Sequence, residues 1–102
     1  MAAINVNTAN FHEEVLQAEG TVLVDFTAAW CGPCQMLSPV VDAFAEKNPQ
    51  IKVCKLDIDE SLPTALGYSV MSVPTVIVFK NGTEVSRAVG MQTEEMLAKL
   101  AE

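Results

Sequence analysis

Two cysteines carry the chemistry this chain can do. Cys31 and Cys34 stand three positions apart in Trp30-Cys31-Gly32-Pro33-Cys34. At that spacing they can close a small disulfide ring. So short a loop removes little chain entropy, about 2 kcal/mol before strain, so a structural staple explains the pair poorly. Reversible redox chemistry explains it better. The motif follows a β-branched, apolar run from Thr21 to Ala28 and opens a stretch of helical pattern. A cysteine at a helix start meets unpaired backbone N–H groups and the positive end of the helix dipole, and both favour thiolate over thiol. The thiolate is the species that attacks a disulfide. Cys31 is the candidate nucleophile. Cys34, one turn further in and more covered, is placed to resolve a mixed disulfide. Pro33 in the first helical turn costs no hydrogen bond and stiffens the ring that Gly32 helps to form. Two plainer readings compete. Half of a zinc site would need two more ligands, and Cys54 and His12 lack the spacing. A pair of packed thiols fits poorly at a strand-to-helix junction.

The elements that must position the pair follow from periodicity. Ile4 to Val6 is a short strand, and Asn7, Thr8 or Asn10 caps a helix running to about Ala18, ended by Gly20. Thr21 to Ala28 reads as a central strand buried on both faces. Pro33 to Asn48 reads as a helix with Met36, Leu37, Val40, Val41 and Phe44 as its apolar stripe and Pro39 as a kink. Ile51 to Ile58 is a third strand, and Ser61 to Gly67 a short helix. Thr75 to Lys80 and Thr83 to Val89 are strands joined by Asn81-Gly82, a two-residue hairpin signal. Thr93 caps a last helix to Ala101, with Met96, Leu97 and Leu100 toward the sheet. The order βαβαβαββα predicts an α/β fold: a mixed five-stranded sheet flanked by four helices, with right-handed parallel crossovers first and an antiparallel hairpin last.

Composition bounds the setting. With 102 residues, 50% apolar and 19% charged, residues 1–102 make one globular domain with no room for a second core. Three cysteines are an odd number, unlike the dense, even framework of small secreted domains. Six basic residues against 13 acidic give a net charge of −7, which disfavours nucleic acid and anionic membranes as partners. No apolar run approaches the length of a membrane span. The first ten residues lack the basic and apolar regions of a secretory leader, so the expected compartment is the reducing cytoplasm.

The segment Val24-Asp25-Phe26-Thr27-Ala28-Ala29-Trp30-Cys31-Gly32-Pro33-Cys34 resembles the active-site strand and loop of the thioredoxin family. The likeness covers nearly the whole chain. Lys55-Leu56-Asp57-Ile58-Asp59, Ser72-Val73-Pro74-Thr75, Phe79-Lys80-Asn81-Gly82 and Val89-Gly90 all fall where that family has them. A bare Cys-x-x-Cys is weakly specific; the tryptophan-flanked form with the later Val-Pro-Thr segment is highly specific. The resemblance implies a thioredoxin fold and a monomeric thiol–disulfide oxidoreductase. Such a protein reduces protein disulfides with no bound cofactor and is recharged by a thioredoxin reductase. It also implies that Asp25 lies beneath the cysteines and relays a proton to or from Cys34, with Lys55 as its neighbour. The Val73–Pro74 bond would be cis and lie against the pair, where the Val73 backbone can meet an extended substrate.

Read on their own, the supporting residues have simpler possibilities. Asp25 is either a solvated strand end or a buried carboxylate; Val22, Leu23, Val24 and Phe26 around it favour burial, and burial without a close cation raises its pKa. Lys55 is most simply a strand residue with its head in water. Pro74 can start a strand in the ordinary trans form. Trp30 is either plain core or a partly exposed lid beside Cys31. Gly90 either breaks an edge strand or keeps a surface flat for a partner backbone. Asn81-Gly82 reads as turn chemistry alone, Cys54 as an inert buried thiol, and His12 as solvated. Residues 26–41 and 61–79 hold no charged side chain, so an uncharged apron is expected around Cys31. Thr27 and Gln35 depart from the commonest family pattern, which often has an aromatic and a basic residue there. The rival functions are a disulfide oxidase or isomerase, and a redox-indifferent module that holds partner proteins on the same flat surface.

Overall fold

Seven consecutive residues, Thr21–Thr27, build the strand on which everything else is hung. In the computed structural model, which describes residues 3–102, this is β2. Before it come β1 (Ile4–Val6) and a π-helical segment (His12–Leu16). After it come α1 (Gly32–Lys47), β3 (Lys52–Asp57), α2 (Leu62–Gly67), β4 (Thr75–Lys80), β5 (Thr83–Val89) and α3 (Glu94–Leu100). The sheet order is β1-β3-β2-β4-β5, so β2 is the middle strand. Its five inner residues are all buried, as a β-branched, apolar run predicts. β3 runs parallel to both β1 and β2, and β4 runs antiparallel to both β2 and β5. The α/β architecture expected from the alternating pattern is the one observed.

The first expected helix is much shorter and wider than its pattern suggested. Asn7 and Asn10 do not cap it; each side chain accepts the other's backbone N–H, at 3.0 and 2.7 Å. Short polar side chains that bond locally compete with a helical start. The chain then makes a five-residue π-helical step, closed by Gln17 N donating to His12 O at 2.9 Å. This segment and the residue before it still bury Val15 and Phe11.

The sheet separates two packed layers. On one face Val22, Val24, Phe26, Cys54, Leu56, Ile77 and Phe79 meet Phe11, Val15 and Ala65. Phe11, Tyr68 and Phe79 form a mutual cluster with ring centroids 5.4–5.8 Å apart, two of the pairs edge-on. On the other face Leu23, Val53, Val76 and Val78 meet Leu37, Val41 and Phe44 of α1 and Leu97 of α3. Two expected core methionines are not in it. Met36 and Met96 are exposed, because the stripes that reach the sheet run through Leu37 and Leu97 and leave each preceding residue on the flank.

The hairpin tip is more than turn chemistry. Asn81 and Gly82 both have positive φ, 50° and 83°, as a tight hairpin of this kind requires. Asn81 Oδ1 also accepts the N–H of Gly20 at 2.9 Å, and Asn81 N donates to Gly20 O at 3.0 Å. A Cβ on Gly82 would collide with the Leu16 carbonyl. The tip thus holds the loop that feeds β2.

Candidate active site

The C-terminal end of β2 delivers the chain into α1 through Ala28, Ala29 and Trp30. Cys31 is the N-cap of α1, with extended φ and ψ of −93° and 112°. Its Sγ accepts the backbone N–H of Cys34 at 3.2 Å, which satisfies one of the N–H groups left unpaired at a helix start. Cys31 and Cys34 are joined as a disulfide, their Cα atoms 5.2 Å apart. Cys31 is 5% exposed and Cys34 fully buried. Gly32 and Pro33 between them are exposed. Gln35, where the family often has a basic residue, ties the helix back to the strand: its Nε2 donates to Ala28 O at 3.3 Å and Ala29 O at 3.5 Å.

A second segment closes on the pair from the start of β4. Val73 packs against the group formed by Ala28, Cys31 and Cys34. Its carbonyl oxygen lies 3.6 Å from Cys31 Sγ. The Val73–Pro74 bond is cis, as the resemblance implied and the residue alone did not. The loop is tied by Thr75 Oγ1, which donates to Ser72 O at 2.7 Å, and by Gly90 N, which donates to Pro74 O at 2.8 Å. Gly90 stands just past β5 with φ 93° and open space where a side chain would project. It ends the edge strand. Met71 and Met91, next to these two segments in the chain, are exposed.

Trp30 is not core: it is 69% exposed. Its Nε1 donates to Asp59 Oδ2 at 2.8 Å. Asp59 is held in turn by the Asp57 carboxylate, whose Oδ1 accepts the Asp59 N–H at 2.8 Å and the Glu60 N–H at 3.3 Å. The expected uncharged apron therefore has an acidic rim on the Trp30 side. The segments are uncharged in sequence, but the fold brings the turn after β3 beside them.

Asp25 is 1% exposed, and neither carboxylate oxygen has a hydrogen-bond partner among the described residues. Burial pushes its pKa up to about 7; the nearby Lys55 ammonium opposes this and the Asp42 carboxylate adds to it. The strand register sets Asp25 opposite Lys55 of β3 and Val76 of β4. Lys55 nevertheless does not bond Asp25. Its Nζ donates to Ser38 Oγ at 2.7 Å and pairs with Asp42 Oδ1 at 2.9 Å. Ser38 and Asp42 escaped the sequence reading, as did Asp59. The signal for the first two was present: Cys34, Ser38 and Asp42 recur every four residues along α1. Asp59 left no such signal.

Cys54 is not brought to the site. It lies buried on the opposite sheet face, and burial pushes its thiol up to about 11. His12 is exposed on the π-helical segment. Among the described residues no cluster of His, Cys, Asp and Glu is arranged to hold a metal ion. No described helix is long and apolar enough to cross a membrane.

Two thiols that trade a disulfide between themselves and a partner are the working parts of a protein-disulfide oxidoreductase, and that is the class of this chain. The thioredoxin family model matches residues 2–102, and the chain belongs to the thioredoxin family. It is 48% identical to a thioredoxin of Chlamydia trachomatis over 95 residues, covering 93% of this chain and 91% of that one. It is 45% identical to a thioredoxin of Staphylococcus haemolyticus over 101 residues, covering 98% and 95%. Among solved structures, a mutant thioredoxin from Halobacterium salinarum superposes with a TM-score of 0.91 at 40% identity, covering 99% of this chain and 88% of that one. The chemistry is dithiol–disulfide exchange.

Proposed function

We propose that the exchange reduces disulfides in other proteins, with Cys31 as the nucleophile and Cys34 as the resolving thiol. One observation carries this reading. Cys31 Sγ sits at the N-cap of α1, accepts a backbone N–H, and borders the Val73 carbonyl, with Gly32 and Pro33 exposed beside it. In the reduced protein the Cys31 thiolate attacks one sulfur of a substrate disulfide. That disulfide breaks, and its other sulfur leaves as a thiolate that takes up a proton. Cys34 then loses its proton and attacks Cys31 Sγ, which expels the second substrate thiolate. Two electrons have passed to the substrate, and Cys31–Cys34 is oxidised. Because the electrons reside on sulfur, the protein needs no cofactor of its own.

Asp25 takes and returns the Cys34 proton in this scheme. A carboxyl with a pKa near 7 suits that work at neutral pH. Lys55 supports it from β3. The Val73 backbone pairs with an extended substrate segment, while Trp30, Pro74 and Gly90 form the surface it lies on. Gly32 and Pro33 keep the ring shallow and stiff. A thioredoxin reductase restores the dithiol. The protein works as a monomeric single domain in the cytoplasm.

The test is insulin-disulfide reduction coupled to NADPH and thioredoxin reductase. Cys31→Ser abolishes turnover. Cys34→Ser accumulates a mixed disulfide that mass spectrometry identifies at Cys31. Full activity in Cys31→Ser would overturn the assignment of Cys31, and a parent protein that reduces no insulin would favour a module that only holds its partners.

A further inference from the structure

We propose that Ser38 and Asp42 of α1 are positioning residues that hold the Lys55 ammonium away from Asp25 and thereby keep the Asp25 carboxyl exchangeable with protons. For its kinetic consequence the proposal rests on the relay role given to Asp25 above. Its structural claim stands without that role.

The geometry presents a choice that the lysine has made. Asp25 and Lys55 are directly opposed on neighbouring parallel strands, so their side chains emerge on the same face about 5 Å apart. A buried carboxylate with two empty oxygens and an ammonium within reach would ordinarily pair. Such a pair would hold the carboxylate ionised and end its use as a proton carrier at neutral pH. The ammonium has three N–H donors. Ser38 Oγ at 2.7 Å and Asp42 Oδ1 at 2.9 Å take two of them, and both acceptors stand on α1. They lie four residues apart, on one side of the helix. Lys55 itself is mostly covered, its side chain 17% exposed, so the head group is confined between strand and helix.

Among the described residues, the charged groups that act on Asp25 are Lys55 from β3 and Asp42 from α1. Cys34 is the titratable group that α1 adds when the protein is reduced. β4 presents Val76 opposite Asp25, and α3 contributes Leu97 to this face; both are apolar. The clamp is therefore the adjustable part of the Asp25 environment. It leaves the cation close enough to be felt through space but not bonded.

Ser38→Ala tests this without changing any charge. Carbon-13 NMR of the Asp25 carboxyl is followed against pH in the oxidised protein, where Cys31 and Cys34 do not titrate. Losing one of its two acceptors loosens the ammonium toward Asp25 and lowers the Asp25 midpoint by roughly half a pH unit or more, the scale on which a displaced unit charge acts. Ser38→Thr restores the original midpoint. Asp42→Asn lowers it further, because a negative charge goes as well. In a Lys55→Gln background Ser38→Ala moves nothing. A midpoint unmoved by Ser38→Ala, or an equal shift with Lys55→Gln present, overturns the proposal. The pH profile of insulin reduction is read in parallel. A moved midpoint with an unmoved profile supports the clamp and removes Asp25 from the exchange instead.

Discussion

On one face of β2, Val22, Val24 and Phe26 meet a layer of aliphatic and aromatic side chains in which Cys54 is the sole ionisable thiol. On the other face Leu23 gives way to Asp25, and the matching position on β3 changes from Val53 to Lys55. Both faces are equally dry. The first is packed for stability alone, and its thiol is pushed up to about 11 and stays protonated. The second gives up stability to bury a carboxyl whose pKa is pushed up to about 7. The difference is where each face leads. The Asp25 face carries α1, and α1 begins with the two cysteines. Burial by itself thus does not distinguish the two faces; the helix that each one carries does.

The largest effect expected from breaking this comparison is on activity. Cys31→Ser removes disulfide reduction down to the uncatalysed background, while Cys54→Ser leaves the rate of insulin reduction near that of the parent protein. Equal losses in the two variants would show that both faces serve the chemistry.

Next is stability. Asp25 has a folded pKa raised from 3.8 to about 7. Below the unfolded value both states are protonated and the group contributes nothing. As pH rises from about 4 to about 7 the unfolded chain ionises first, so the native state loses stability, and the loss is complete above 7. Three pH units correspond to roughly 4 kcal/mol. An unpaired buried amide costs roughly 1–3 kcal/mol in its place. Asp25→Asn therefore stabilises the fold by about 2 kcal/mol at pH 8, with slower disulfide reduction; the gain shrinks toward acid and turns into a loss of about 1–2 kcal/mol near pH 4, where only the amide cost remains. Denaturant melts at both pH values check the sign; a gain that grew toward acid would contradict it.

On the other face the effects are smaller. Cys54→Ser places a hydroxyl among apolar groups and costs about 1–3 kcal/mol. Cys54→Val stays within about 1.5 kcal/mol, since it conserves shape and adds no polar atom. The smallest signal is chemical. In the oxidised protein Cys54 is the free thiol, and it resists alkylation at pH 8 until denaturant is added. Rapid labelling of the native protein would mean that this face opens as readily as the other.

Much of this arrangement is legible in the sequence. The strand residues of β2 to β5, the Asn81-Gly82 turn, the Thr93 cap and the cysteine pair each carry a local pattern. Thr93 Oγ1, for example, accepts the Met96 N–H at 3.1 Å, as a capping side chain should. Burial of Asp25 is legible because a lone carboxylate interrupts an apolar run. The first helix departs from its pattern because Asn7 and Asn10 satisfy each other instead of a helical turn. Met36 and Met96 fall outside the core because a hydrophobic stripe read from sequence has no sharp edge, whereas a packed helix face does.

What the sequence determined by itself is the reactive pair, the strand that precedes it and the helix it opens. Those depend on spacings of a few residues, which the chain's own geometry converts into structure. Tertiary structure decided the rest: the cis bond at Pro74 against the cysteines, the grip of Asp59 on Trp30, and the capture of Lys55 by Ser38 and Asp42 in preference to Asp25. Each joins residues 13 to 42 positions apart in the chain, or depends on such a contact. A charged or polar group takes the partner that sheet order and helix placement bring within reach, and no local pattern records which partner that is.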